Sequence, residues 1–472
     1  MASCRHQILH LDVSSHAAEV GFDQPGAQQR LAATLPSGRV PSGKAKIRTS
    51  RSRCEEDFEA SGRSGRETAS NSTFPAPLVL PGDELAHDPK CARQSLRSWL
   101  RLMQPHSAVS GRRKLYIVPY PTVDSQLLEM RDWAQPAVMN KDLQPPLTVD
   151  LLAYLTAFYH GFEVEMLETM APRFTRWSGA KPKRDGSGAV GLLCGQQMIR
   201  IRTRPSKDAS FAGQLNLNDL LDAAIAVLPA DAYALIMLVH HDLFEDDQDD
   251  FCCGRAYGGS RVCVVSTARY NPLLDEKQEV EREHAWPASH CRDYVRWSCY
   301  EQDDLGPPVK KGKKNAGQRA PVRAASPMEA ALEAHRGLDP PKTNEALRNL
   351  WLGRVCKTAS HELGHCFGMD HCTYYACLMQ GTASLTEDAR QPPYLCPVET
   401  AKLNRAPGAT SERERDRALL HFCERYPYDR LFSAYTAWLR VRLAEPAGVR
   451  AEDVAAGSKE HTGTGSVWLS SY

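Results

Sequence analysis

Residues 232–239 read AYALIMLV, a run with no charged side chain. A strand this apolar cannot turn one face to water, so it belongs in the middle of a sheet covered by helices on both sides. Its neighbours alternate in kind. KLYIVPYP, 114–121, reads as a buried strand closed by prolines. LTVDLLAYLTAFYHGFEVEML, 147–167, reads as a helix, a stop at Gly161 and a second strand. NLNDLLDAAIAVL leads by way of Pro229 into the apolar run, and RVCVVSTARY supplies a further strand after the Gly-punctuated FCCGRAYGGS. Strand, helix, strand predicts an α/β (α+β) fold.

The 472 residues allow two or three domains, and a formal net charge of +1 gives no global argument for nucleic acid or an anionic membrane. No apolar run approaches the roughly 20 residues that a membrane span needs. MASCRHQILHLDVSSHAAEV has no continuous apolar core of a secretory signal. The 15 cysteines therefore read as reduced thiols, most of them buried small hydrophobes and some of them metal ligands. These features point to an intracellular, cytoplasmic protein.

Composition divides the chain. Residues 1–76, rich in Ser, Arg, Gly, Ala and Gln, predict a disordered N-terminal region. Residues 77–300 predict the N-terminal α/β part of the main domain, and 301–342 a flexible, partly basic insertion. Within that insertion 306–328 holds Lys310, Lys311, Lys313, Lys314, Arg319 and Arg323 and no acid. It reads as a solvated loop, with nucleic-acid contact or nuclear import as the rival use. Residues 343–445 carry a long helix, the metal motifs and C-terminal amphipathic helices, and 446–472 form a frayed tail.

The chemistry concentrates in SHELGHCFGMDHC, 360–372. Leu347, Leu350, Trp351 and Val355 recur at helical spacing before it, with Thr343 or Asn344 as N-cap. On that helix His361 and His365 are four apart and share a face, so two imidazoles can grip one ion. Glu362 points about 100° away, beside the metal, where it can take a proton from water. Gly368 permits a sharp helix stop. Three residues on, His371 can swing back to the same ion. Three neutral histidines leave one zinc position open, the catalytic pattern. Cys372 faces away from His371 in extended chain and joins Cys377 and the distant Cys396 in a group with the character of a structural zinc site.

HELGHCFGMDHCTYYACLMQG followed by YLCPVE resembles the archaemetzincins, a branch of the metzincin zinc peptidases, closely over 356–403 and more loosely back towards Leu115. The resemblance implies a metzincin-like mixed sheet packed on an active-site helix, with a zinc-containing C-terminal subdomain. It makes His361, His365 and His371 ligands of a catalytic zinc, Glu362 the general base, and Met379 the apolar floor beneath the imidazoles. Cys372, Cys377 and Cys396 match three ligands of a structural zinc. The family's fourth ligand is a cysteine; here Glu399 stands in its place. Glu399 could ligate through oxygen, Cys423 could substitute, or the site could stay weak. The resemblance also lays an extended peptide or protein substrate along an edge strand at 251–258, where Gly254 and Gly258 admit a second backbone. The rival uses are a plain surface hairpin, a catalytically silent zinc-stabilised binding protein, and a nucleic-acid-associated zinc protein. His240, His241 and Asp242 read as strand-end residues with a minor claim on the cleft, EDDQDD as a solvated turn, Tyr257 as an oxyanion donor only by guess, and Asp370 as a turn residue.

Overall fold

The computed structural model describes residues 4, 6–40, 70–103, 111–137, 142–168, 171–178, 186–300 and 325–444. Within them the strands are β1 (Lys114–Val118), β2 (Thr122–Val123), β3 (Glu163–Met166), β4 (Arg173–Arg176), β5 (Gly188–Cys194), β6 (Gln197–Arg204), β7 (Gln214–Asn216), β8 (Ala232–Val239), β9 (Asp242–Phe244), β10 (Gly254–Tyr257) and β11 (Val262–Ser266). One sheet runs β10-β11-β8-β1-β3, parallel except for the antiparallel edge strand β10.

β8 is central and buried at every residue, and its two faces belong to different cores. Ala234, Ile236 and Leu238 pack with the helix Asn344–Cys366 through Trp351, Val355, Ala359 and Leu363. Leu235, Met237 and Val239 pack with the helix Leu217–Ala226 through Leu220, Leu221 and Ala224. Period-two alternation feeds both cores from one strand, which is why no polar residue is tolerated along it. Each large apolar side chain so buried contributes about 1.5–3 kcal/mol.

A second sheet, β2-β4-β5-β6-β7-β9, closes the far side of the second core with Leu192, Ile201 and Leu215. Its β5–β6 hairpin keeps one face in solvent, so its polar alternation gave little sequence signal against the surrounding loops. No helix among the described residues is long and apolar enough to cross a membrane.

Two expectations are corrected. The stretch 1–76 is not a disordered region throughout: the helices Ser15–Val20 and Ala27–Ala33 are formed, Leu9 bridges to Cys291, and Ala17, Phe22, Phe74 and Ala76 are buried. These apolar residues are too sparse for a local period; Ala17 and Phe22 are buried with Val79 and Leu85, and Phe74 against Tyr375, Tyr394 and Trp438. Likewise the 301–342 insertion ends early. Ser326 caps the helix Pro327–Arg336, which buries Met328, Ala331, Leu332 and His335 beside the helix Arg430–Ala444. The basic run 310–323, the segment 41–69 and the tail 446–472 lie outside the described residues.

Candidate metal centre

The motif helix Asn344–Cys366 starts at Thr343, whose hydroxyl accepts from the Ala346 N–H at 3.2 Å. It stops in a Schellman turn. Gly368 takes φ 75°, its N–H donates to His365 O at 2.9 Å, and the Met369 N–H donates to Gly364 O at 3.2 Å. A side chain at Gly368 would be strained by that φ and would also press on Met103, since an added Cβ falls 2.7 Å from its sulfur. Two side chains from the N-terminal part hold the exposed turn carbonyls: Trp99 Nε1 donates to Phe367 O at 2.9 Å and Gln94 Nε2 to Gly368 O at 2.9 Å.

The turn brings His371 back to His361 and His365, and the three side chains offer nitrogens within 4.8 Å of one another. Each ring is held from behind. His361 Nδ1 lies 2.7 Å from Leu378 O, His365 Nδ1 2.6 Å from Met369 O, and His371 Nδ1 2.8 Å from a Glu84 carboxylate oxygen. A carbonyl or carboxylate oxygen can only accept, so each Nδ1 carries the proton and each Nε2 presents a lone pair. His361 Nε2 and His365 Nε2 then face each other at 3.0 Å as two acceptors. That arrangement calls for a cation, and a carboxylate or carbonyl behind each imidazole is the backing that metal-binding histidines use. The donor set fits zinc with an open position.

Burial, with His365 and His371 adding to it, holds His361 well below its ordinary pKa, and burial lowers His365 to about 4. Burial also lowers His371, but the Glu84 carboxylate outweighs it and the net shift is upward. Glu84 in turn is lowered by its hydrogen bond to His371. Glu362 is buried beside the histidines, and loss of water lifts its carboxyl to about 7 against the pull of His371 and Arg255.

These groups line a cleft of about 1340 Å³. One wall is the edge strand β10, contributing Gly254, Arg255 and Ala256, and Glu84, Met103 and Leu385 complete other parts of the lining. Both glycines sit against backbone. A Cβ on Gly254 would fall 2.8 Å from Val264 O of the neighbouring strand β11, and one on Gly258 2.7 Å from His365 O of the motif helix. Met379 is fully buried, with its sulfur in the space that a Cβ on Gly364 would fill.

Cys372, Cys377 and Cys396 form a separate buried group, with Cys372 Sγ 3.5 Å from Cys396 Sγ and the Cys396 N–H 3.2 Å from Cys377 Sγ. Burial raises all three thiols well above their ordinary range, so thiolates here need a cation. Glu399 is fully buried nearby, but its two oxygens lie 2.9 Å and 2.8 Å from Lys402 Nζ. Its carboxylate is engaged in an ion pair and also hydrogen-bonds with Cys372, so it borders the cysteine group. Cys423 is buried in the main core, outside that group.

Other residues singled out above lie elsewhere. His240 bonds Thr267 and stacks on Tyr120, His241 bonds Met130 O, and Asp242 pairs with the buried Arg269. None of the three lines the cleft. The Tyr257 hydroxyl donates to Asn218 at 2.8 Å and is likewise not part of the lining. The acidic turn is tied down by Arg204, which donates to Asp246 O and Asp249 O, although Glu245 and Asp250 reach the cleft. Asp370 accepts from Gln94 at 2.8 Å in the turn. Glu84, Gln94 and Gly364 escaped the sequence reading; Glu84 is 287 positions from the histidine it holds, and no local pattern marks it.

Residues 337–405, the segment that holds His361, His365, His371, Cys372, Cys377 and Cys396, match the model for Peptidase family M54. Archaemetzincin-2 of Macaca fascicularis is 27% identical over 274 residues, covering 58% of this chain and 57% of that protein. Archaemetzincin-2 of Pongo abelii is 44% identical over 271 residues, covering 57% of this chain and 56% of that protein. The chain thus spans little more than half the length of the curated relatives it matches. Among solved structures, an archaemetzincin from Methanopyrus kandleri is similar at 18% identity and a TM-score of 0.30, covering 62% of this chain and 94% of that one. The segment that carries the metal motifs thus matches a peptidase family, and the relatives to which the chain is similar are archaemetzincins.

Proposed function

We propose that this chain is a zinc-dependent peptidase in which His361, His365 and His371 hold the catalytic ion and Glu362 is the general base. The observation that carries the reading is the shared tautomer: three Nδ1 atoms are committed to acceptors, and three lone pairs converge beside a buried carboxyl. Zinc bound there would acidify a water and polarise the scissile carbonyl. A carboxyl lifted to about 7 is matched to accepting a proton at neutral pH and returning it to the leaving amine. Met379 holds the rings from below by filling the space at Gly364. An extended peptide would add to the outer edge of β10, whose free backbone groups border the cleft.

A second, structural zinc on Cys372, Cys377 and Cys396 belongs to the same reading. Three thiols within reach of one another support it, with Glu399, ion-paired to Lys402 and hydrogen-bonded with Cys372, as the candidate for the fourth position. Unpaired thiols throughout the described residues suit a reducing, intracellular setting.

The test is digestion of a defined peptide mixture by the zinc-loaded protein and by its Glu362→Ala variant, read by mass spectrometry. Cleavage should fall by at least about 10²-fold in the variant while zinc stays bound. Equal cleavage by both would remove Glu362 from the mechanism. No cleavage by either would favour a silent binding protein.

A further inference from the structure

Remote from the cleft, the N-terminal segment, a loop and a helix end bring a second type of donor set together. Cys4, His6 and His284 offer a sulfur and two ring nitrogens that all lie within 4.8 Å of one another. We propose that these three residues, with His335 beside them, form a further zinc site that fastens the N-terminal segment to the body of the protein.

The approach of the three is built by the backbone. Leu9 pairs with Cys291, the His10 N–H donates to His290 O at 2.7 Å, and the Arg292 N–H to Ile8 O at 2.8 Å. His284 closes the turn Arg282–His284, and His335 sits in the last turn of the helix Pro327–Arg336. His6 adopts φ 45°, in the left-handed region that few side chains accept without a compensating contact.

The ring nitrogens are placed as ligands and have no other use. His284 Nδ1 lies 2.8 Å from a Glu281 carboxylate oxygen, so it is the protonated nitrogen and Nε2 is the lone pair. That Nε2 is buried without a hydrogen-bond partner, and so is His6 Nε2. His335 is 2% exposed and both of its ring nitrogens are buried and unpartnered. Its ring stands perpendicular to that of His6 with centroids 6.4 Å apart, and the His6 and His284 centroids are 5.1 Å apart. Buried polar atoms are almost always satisfied, so orphaned nitrogens on His6 and His284, with the His335 ring beside them, ask for a common partner. Water would satisfy one or two of them; a thiol and several neutral imidazoles backed by a carboxylate define a soft, borderline cation. Ligands of a tetrahedral zinc stand roughly 3.3–3.7 Å apart, so a small inward closure of this group suffices.

Arg430 and Arg336 place positive charge near His6, and Arg430 near His335, but both guanidinium groups are engaged. Arg430 is bound to Glu283 at 3.1 Å and to Leu338 O, and Arg336 to Glu333 at 3.0 Å. The Cys4 thiolate and Glu281 then answer the cation. The site is independent of the catalytic reading, since none of its residues lines the cleft.

The experiment uses the full chain with its affinity tag at the C-terminus. Protein is loaded with zinc, or stripped, and pulsed with iodoacetamide; peptide mapping then reads the modification of Cys4. Zinc should slow modification of Cys4 by at least tenfold. Metal analysis should find one zinc fewer per chain in Cys4→Ser and in His284→Gln than in wild type. Modification of Cys4 at the same rate with and without zinc, together with unchanged zinc content in both variants, would overturn the proposal. The footprint on the wild-type chain decides the matter even if a variant folds poorly.

Discussion

Glu84 holds His371 from behind at 2.8 Å, and it is the only one of the three histidine anchors in this site that is a side chain rather than a carbonyl. The negative charge that steadies the third histidine therefore comes from the N-terminal part of the chain. Replacing Glu84 by Gln should lower zinc affinity about 10–100-fold, the usual cost of losing such a partner. Competition against a chromophoric chelator measures it; an unchanged affinity would show that His371 is positioned without Glu84.

Gly364 offers a test in which two effects have opposite signs. Gly→Ala in a helix interior ordinarily stabilises by about 1 kcal/mol. Here the new methyl would occupy the place of the Met379 sulfur, and overpacking costs about 1–3 kcal/mol. Gly364→Ala should lower stability in denaturant titration and weaken zinc binding. A more stable variant with normal zinc affinity would mean that Met379 moves aside freely.

The Glu399–Lys402 pair is fully buried, so removing one partner strands a charge. Lys402→Met should destabilise the protein by about 3–5 kcal/mol, and Lys402→Met with Glu399→Leu should recover most of that loss. If the double variant is as unstable as the single one, the carboxylate has a partner other than Lys402, and ligation by Glu399 gains support.

Zinc binding to the folded chain alone must stabilise it. At a free concentration 100 times Kd the gain is about 2.7 kcal/mol per site. Chelation should lower the Tm, as followed by circular dichroism. An identical melting curve after verified zinc loss would contradict a metal-ordered centre.

Asp429 gives a pH signature. Burial lifts its carboxyl to about 6 although the Phe432 N–H donates to it at 2.9 Å. Because the folded pKa lies above the unfolded one, the folded state holds the proton longer. Its contribution to stability is greatest below about pH 4 and declines as pH rises to about 6, then stays level. Asp429→Asn should flatten that part of the stability–pH curve relative to wild type. A difference between the two proteins that does not vary from pH 4 to 7 would refute the assignment.

What the sequence determined by itself was local and periodic. Four-residue spacing sets His361 above His365, Gly368 permits the helix to end, and an unbroken apolar run makes β8 central. The helices at 412–423 and 430–444 follow from the same kind of signal, whereas the antiparallel edge at β10 was implied only by the family resemblance. What the tertiary structure decided depends on partners far apart in the chain: Glu84 behind His371, Met379 in the notch at Gly364, Lys402 on Glu399, and the ordered N-terminal helices. Sequence pattern reports the period of a residue's own element. It carries no mark of which distant side chain will fill a missing Cβ or accept a buried proton, because those choices are made only when the layers close on one another.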